Sequence, residues 1–188
     1  MLRVVPDIYK ETGLCCLQPR AVEMAVEFDT FRVPYNRAVP WGFDADSWMM
    51  LEGLILKQSK GFHVEFAYGQ FNGANIPLKF KLRFERTPAS SNSPILTVNS
   101  FVNQQWGKEI RREMATHFQQ GQKFKLSFIA TSKSFKIMEN DILLSEFDHR
   151  LSPKAIRFLE VDGDIKLEKV VFSWERNNET SNPRFGEG

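Results

Sequence analysis

Ile76-Pro77-Leu78-Lys79-Phe80-Lys81-Leu82-Arg83-Phe84 alternates apolar and basic side chains one for one from Leu78 onward. Successive side chains of an extended chain point to opposite faces, so Leu78, Phe80, Leu82 and Phe84 share one face and Lys79, Lys81 and Arg83 the other. A strand apolar on one side and charged on the other belongs to an antiparallel sheet with one face on a core and one in water. Phe124-Lys125-Leu126-Ser127-Phe128 and Phe135-Lys136-Ile137 repeat the pattern. Further strands are predicted at Glu27 to Arg32, Trp48 to Lys57, Phe62 to Ala67, Ile95 to Asn99, Ile142 to Phe147, Ile156 to Val161 and Lys166 to Trp174. The connections Gln58 to Gly61, Gln119 to Gln122, Glu139 to Asp141 and Asp162 to Asp164 carry residues that tolerate tight turns. Short alternating segments punctuated in this way predict an all-β antiparallel sandwich. The 17 Phe support it, because aromatic rings suit a pleated, half-buried surface. Arg20 to Val26 and Arg111 to His117 read as a helical turn or two each, and Thr87 to Pro94 as a plain loop.

A length of 188 residues suits one domain. Residues 1–20 lack periodicity and are read as an N-terminal extension, 21–175 as the domain, and the polar segment 176–188 as a flexible tail. A formal net charge of +2 gives no basic stripe for nucleic acid, and no apolar run reaches membrane-spanning length. The first residues, with Asp7 among them, hold no continuous apolar signal region, and Cys15 and Cys16 are adjacent, where a mutual disulfide is strained. The expected location is the cytoplasm, with export independent of a signal peptide as the alternative.

Catalytic and metal chemistry find little support in the spacing. His63, His117 and His149 stand far apart, without the close spacing of a zinc motif. No Gly-x-Ser-x-Gly elbow occurs. Sandwich glycosidases resemble Glu-x-Asp-x-x-Glu, but Glu27-Phe28-Asp29 is followed at the third acid position by Arg32, and Glu146-Phe147-Asp148 by Leu151. The chain is therefore read as a binding protein and not an enzyme, with no cofactor.

Val98-Asn99-Ser100 and Trp106-Gly107-Lys108-Glu109-Ile110-Arg111 follow the opening segment. Together the three stretches resemble the sugar-binding region of the galectins, in which the first carries His-x-Asn-x-Arg and the later ones an Asn and a Trp-Gly-x-Glu-x-Arg. Arg83, Asn99, Trp106, Glu109 and Arg111 match, whereas Lys79 and Lys81 stand where galectins have His and Asn. Val33-Pro34-Tyr35, Pro40-Trp41-Gly42-Phe43, Gly53, Phe62 to Gly69, Phe118 to Gly121, Phe147 to Leu151 and Val161 to Asp164 look like galectin framework in galectin order, extending the resemblance over residues 26 to 174. It implies a galectin-type antiparallel β-sandwich, of jelly-roll and concanavalin-like kind.

The resemblance also implies a lectin that takes β-galactoside-class glycans or glycoproteins on one sheet face. An exposed Trp offers a flat platform for the C–H face of a sugar ring, which makes Trp106 the stacking candidate. Arg83, Asn99, Glu109 and Arg111 are the candidate readers of the hydroxyl pattern, with Glu109 bridging sugar and arginine; Trp41, Trp48 and Trp174 are assigned to packing or turns. A lysine ammonium only donates hydrogen bonds, whereas neutral His and Asn also accept them, so Lys79 and Lys81 shift the expected ligand from plain galactosides toward anionic glycans. The alternative is an interaction module that kept the fold, lost sugar binding and holds a protein partner. Oligomeric state is not legible in the sequence.

Overall fold

The alternating stretch forms the strand on which one sheet is centred. The computed structural model describes residues 23–27, 31–87, 90–114 and 117–175, so the expected extension and tail lie outside the described residues. The strands are β1 (Glu23–Glu27), β2 (Tyr35–Ala38), β3 (Trp48–Ile55), β4 (Gly61–Ala67), β5 (Ile76–Thr87), β6 (Ser90–Val102), β7 (Gln105–Trp106), β8 (Ile110–Glu113), β9 (Lys123–Ala130), β10 (Ser134–Glu139), β11 (Ile142–Asp148), β12 (Phe158–Gly163) and β13 (Ile165–Glu175). A 3₁₀ turn, Pro153–Ala155, precedes β12.

Among the described residues the strands form two antiparallel sheets. One has the order β1-β13-β3-β9-β10-β11; the other runs β2-β12-β4-β5-β6-β7, with β8 also paired to β6. Their inner faces carry the apolar half of each alternation. Leu78, Phe80 and Leu82 of β5 are fully buried, as are Val64 and Phe66 of β4 and Leu126 and Phe128 of β9. The Phe128 ring lies 5.2 Å from Phe66 and 5.7 Å from Phe80, so β9 of one sheet meets β4 and β5 of the other through aromatic rings. Each such ring buries a large apolar area, which makes this seam a main source of stability.

Phe84 differs from its neighbours: it packs against the core but is only partly buried. The β4 pairing begins at Gly61 opposite Arg83, so Phe84 has no β4 partner beside it. The turn readings hold at Asn140 and Asp141, with φ of 47° and 67°, and at Gly121, with φ of 80°. Trp41 is assigned to packing correctly, its ring set edge-on to Phe172 at 5.9 Å.

Four local expectations are overturned. Glu23–Glu27 is a strand and not part of a helical turn, because it pairs along its length with β13 from Glu23 opposite Glu175 to Glu27 opposite Val171. Ile110–Glu113 is likewise a strand, on β6. Glu, Met, Ala and Arg favour helix locally, but a sheet edge that satisfies the backbone outweighs a preference of tenths of a kcal/mol. Of the strand predicted at Glu27 to Arg32, Glu27 ends β1 and Phe31 and Arg32 lie in no strand, while residues 28–30 are outside the described ones. The supposed loop before Ile95 belongs to β6 from Ser90 onward, since Phe84, Glu85 and Thr87 of β5 find partners in Pro94, Ser93 and Ser90. No helix among the described residues is long and apolar enough to cross a membrane.

Candidate functional site

The outer face of the sheet containing β5 gathers the residues singled out in the sequence. The period of two puts Lys79, Lys81 and Arg83 on it, and the register decides what stands beside each. Lys79 is opposite Glu65 on β4 and Asn99 on β6; Lys81 is opposite His63 and Thr97; Arg111 on β8 is opposite Thr97 in turn. On the far side, Glu160 and Asp162 of β12 stand opposite Glu65 and His63.

Trp106 sits on β7 with half of its surface exposed, 50%. Its ring lies 5.1 Å from Phe101 of the paired strand, the two planes tilted by 50°. A cavity of about 400 Å³ opens beside it, lined among others by Glu65, Phe71, Phe101, Phe158 and Glu160.

Arg83 and Arg111 are joined through a carboxylate the sequence reading did not select. Arg111 Nη2 donates to Glu85 Oε2 at 2.7 Å, and Arg83 Nη2 pairs with Glu85 Oε1 at 3.1 Å. The hydrogen bond from Arg111 and the charges of both guanidiniums hold the Glu85 carboxyl below the usual glutamate range, and the same bond raises Arg111. Glu109, expected to bridge to arginine, is exposed between β7 and β8 and acts on Arg111 through its charge. Between the two arginines the bridge is Glu85, which lies two residues along from Arg83 on the same face and so was accessible to the same periodicity argument.

Asn99 is placed for holding the chain. Its Nδ2 donates to the Gly107 carbonyl at 3.0 Å, and its Oδ1 accepts from Ser100 N–H at 2.8 Å and from Arg150 Nη1 at 3.0 Å. Both acceptor positions of the amide oxygen are used, leaving one N–H for anything else. Arg150 also donates through Nη2 to the Lys108 carbonyl at 2.6 Å, so this residue, which follows β11 in the other sheet, fastens the turn after Trp106. It stood in the sequence only as part of a framework segment; nothing in its spacing predicted the contact.

The two lysines differ. Lys79 Nζ donates to Glu65 Oε2 at 2.7 Å and stands 5.6 Å above the centre of the Trp106 ring. Lys81 is exposed and makes no ion pair among the described residues. His63, Glu65 and Glu160 bring one donor atom each within 4.8 Å of one another, a set able to hold a cation that sequence spacing could not reveal. Those donors already have partners: Glu65 takes the Lys79 ammonium, and His63 Nε2 is 3.1 Å from Glu160 Oε1.

A two-sheet antiparallel sandwich with a half-exposed tryptophan on a polar sheet face has the make-up of a lectin-type sandwich. Residues 34–172 match the family model described as galactoside-binding lectin. The chain is 32% identical over 140 residues to Galectin-4 of Rattus norvegicus, which covers 74% of this chain and 41% of that protein. It is 31% identical over 136 residues to Galectin-7 of Mus musculus, covering 72% of this chain and 94% of that one. The chain thus belongs to the galactoside-binding lectin family, the galectins. It spans less than half the length of the galectin-4 relatives and nearly all of galectin-7. Among solved structures, the fold is similar to sheep Galectin-11 in complex with glycerol, with a TM-score of 0.66 at 24% identity over 76% of this chain and 99% of that one. It is also similar to the Caenorhabditis elegans galectin LEC-6, with a TM-score of 0.66 at 23% identity over 79% of this chain and 96% of that one.

Proposed function

We propose that this protein binds glycans of the galactoside class on the outer face of the β5 sheet, as a lectin without a catalytic step. Trp106 is the stacking platform, Arg83, Arg111 and Glu109 read hydroxyls, and Asn99 holds the turn that carries Trp106 while offering its remaining N–H. The observation that carries the reading is the half-exposed Trp106 ring, beside Phe101, on the face that holds the Arg83–Glu85–Arg111 bridge. Family membership supports it, and an ion-paired guanidinium set is prepared to meet hydroxyls at little cost in ordering.

Lys79 and Lys81 tune the preference. Neither accepts a hydrogen bond, so plain lactose binds more weakly than it would with His and Asn at these positions. Lys81 meets the anionic group of a sulfated or sialylated glycan, since its charge has no carboxylate partner among the described residues. The test is a glycan array on the purified chain, followed by calorimetry with Trp106→Ala on the best ligand. The variant should lose at least ~30-fold in affinity, the scale of a central aromatic anchor. No glycan bound by the wild type, or equal binding by the variant, would sink this reading and leave the sheet face to a protein partner.

A further inference from the structure

We propose that Glu65 is a specificity-determining residue: by holding the Lys79 ammonium over Trp106 it compensates that charge and limits how strongly the face favours anions. The inference rests on the glycan-binding reading above and concerns a residue that neither the sequence reading nor the family motif singles out.

Lys79, Lys81 and Arg83 project from the same face of β5, yet they are not electrically equivalent. Arg83 shares Glu85 with Arg111. Lys79 is paired with Glu65 at 2.7 Å, with the two side chains only 25% and 17% exposed. Lys81 has no carboxylate partner among the described residues. A charge-assisted hydrogen bond in a half-buried setting is short, strong and poorly screened by salt. An approaching anion therefore meets a closed ion pair at Lys79 and an open charge at Lys81.

The geometry also couples this pair to the platform. Lys79 Nζ lies 5.6 Å from the Trp106 ring centre, over the ring proposed as the stacking platform. A cation over an exposed indole is held only weakly, so a sugar can displace it. The bond to Glu65 is the stronger restraint, so the ammonium moves off the ring while staying on its carboxylate. A neutral sugar is thereby tolerated, and Lys79 is kept from acting as an anion reader. Removing the carboxylate converts a compensated lysine into an open one directly above the stacking site. Of the other groups nearby, His63 is no acid, and Glu160 holds His63 through one of its two oxygens.

The test compares wild type, Glu65→Gln and Glu65→Gln with Lys79→Met, each checked for the wild-type circular dichroism spectrum; Glu65→Thr, also neutral and suited to a strand, serves should the Gln variant fail to fold. The first readout needs no glycan: quenching of the Trp106 fluorescence component, taken as the difference from Trp106→Phe, by iodide and by neutral acrylamide. Glu65→Gln should raise iodide quenching in a salt-dependent way without changing acrylamide quenching, and the added Lys79→Met should abolish the rise. The second readout is the affinity ratio for a singly sulfated lactose over lactose, which should rise about tenfold in Glu65→Gln, as expected for one newly available charge-assisted contact. Equal iodide quenching in wild type and Glu65→Gln, or an unchanged affinity ratio in proteins that bind both sugars, would overturn the proposal. A quenching rise in a protein that binds no glycan would uphold the charge control by Glu65 and sink the lectin reading instead.

Discussion

Trp106 and Glu85 show how single side chains shape the candidate site. Half of Trp106 faces water, so its removal costs the fold little while removing the stacking surface. Trp106→Ala should lower the unfolding free energy by only ~1–2 kcal/mol, less than loss of a fully buried aromatic, while its glycan affinity collapses. A large stability loss in urea denaturation would mean that the ring is a core residue. Glu85 makes a pH prediction. Its folded pKa lies below its ordinary value because Arg111 and Arg83 favour the carboxylate. The bridge therefore contributes stability above the unfolded glutamate value of about 4.3, and that contribution is lost as pH falls through the lower folded value. A carboxyl-carbon NMR titration should place the Glu85 midpoint below that of a glutamate in an unstructured peptide, and Arg111→Ala should move it upward. A wild-type midpoint at or above that value contradicts the bridge. Arg83 and Arg111 were legible from the alternation and the motif; that both close on Glu85 depends on the register of β5, β6 and β8.

Strands β5, β4 and β12 carry the tests of packing. Phe80 is fully buried, with Phe62, Phe118 and Phe128 at ring-centre distances of 5.8, 6.2 and 5.7 Å. Phe80→Ala should cost ~3–5 kcal/mol, read as a lower urea midpoint, because the rings around it cannot collapse into the space. Gly163 at the end of β12 has φ of +127°, and a Cβ there would press on Phe62 Cα and the Gly61 carbonyl. Gly163→Ala should therefore destabilise by more than ~1 kcal/mol, combining an unfavourable backbone angle with backbone crowding. A neutral result would show that β4 and β12 can separate locally. These strands were predictable from their period of two. β1 and β8 were not, because their residues favour helix and only a neighbouring sheet edge makes them strands.

In the molecule as a whole, both sheets contribute to one core: β9 rings meet β4 and β5 rings, and Arg150 beyond β11 fastens the turn beside Trp106. Unfolding one sheet exposes the inner face of the other, so the described domain should lose tryptophan fluorescence and far-UV signal in one coincident transition. Pairings such as β1 with β13 span nearly the whole described chain, so refolding should fall in the millisecond-to-second range of sandwich topologies. Two separated transitions would argue that the sheets fold as independent units.

The alternation Leu78-Lys79-Phe80-Lys81-Leu82-Arg83 was enough to establish strand, face and antiparallel class, because side-chain direction along an extended backbone follows from covalent geometry alone. The ordered motif from Lys79 to Arg111 was enough to place the chain among the galectins. Partnership was not available there. Glu65 meets Lys79, Glu85 meets Arg83 and Arg111, and Arg150 meets Asn99 only after register and sheet packing bring together residues separated by as many as 51 positions. Charge compensation acts over a few ångströms, and those distances are set by the tertiary fold.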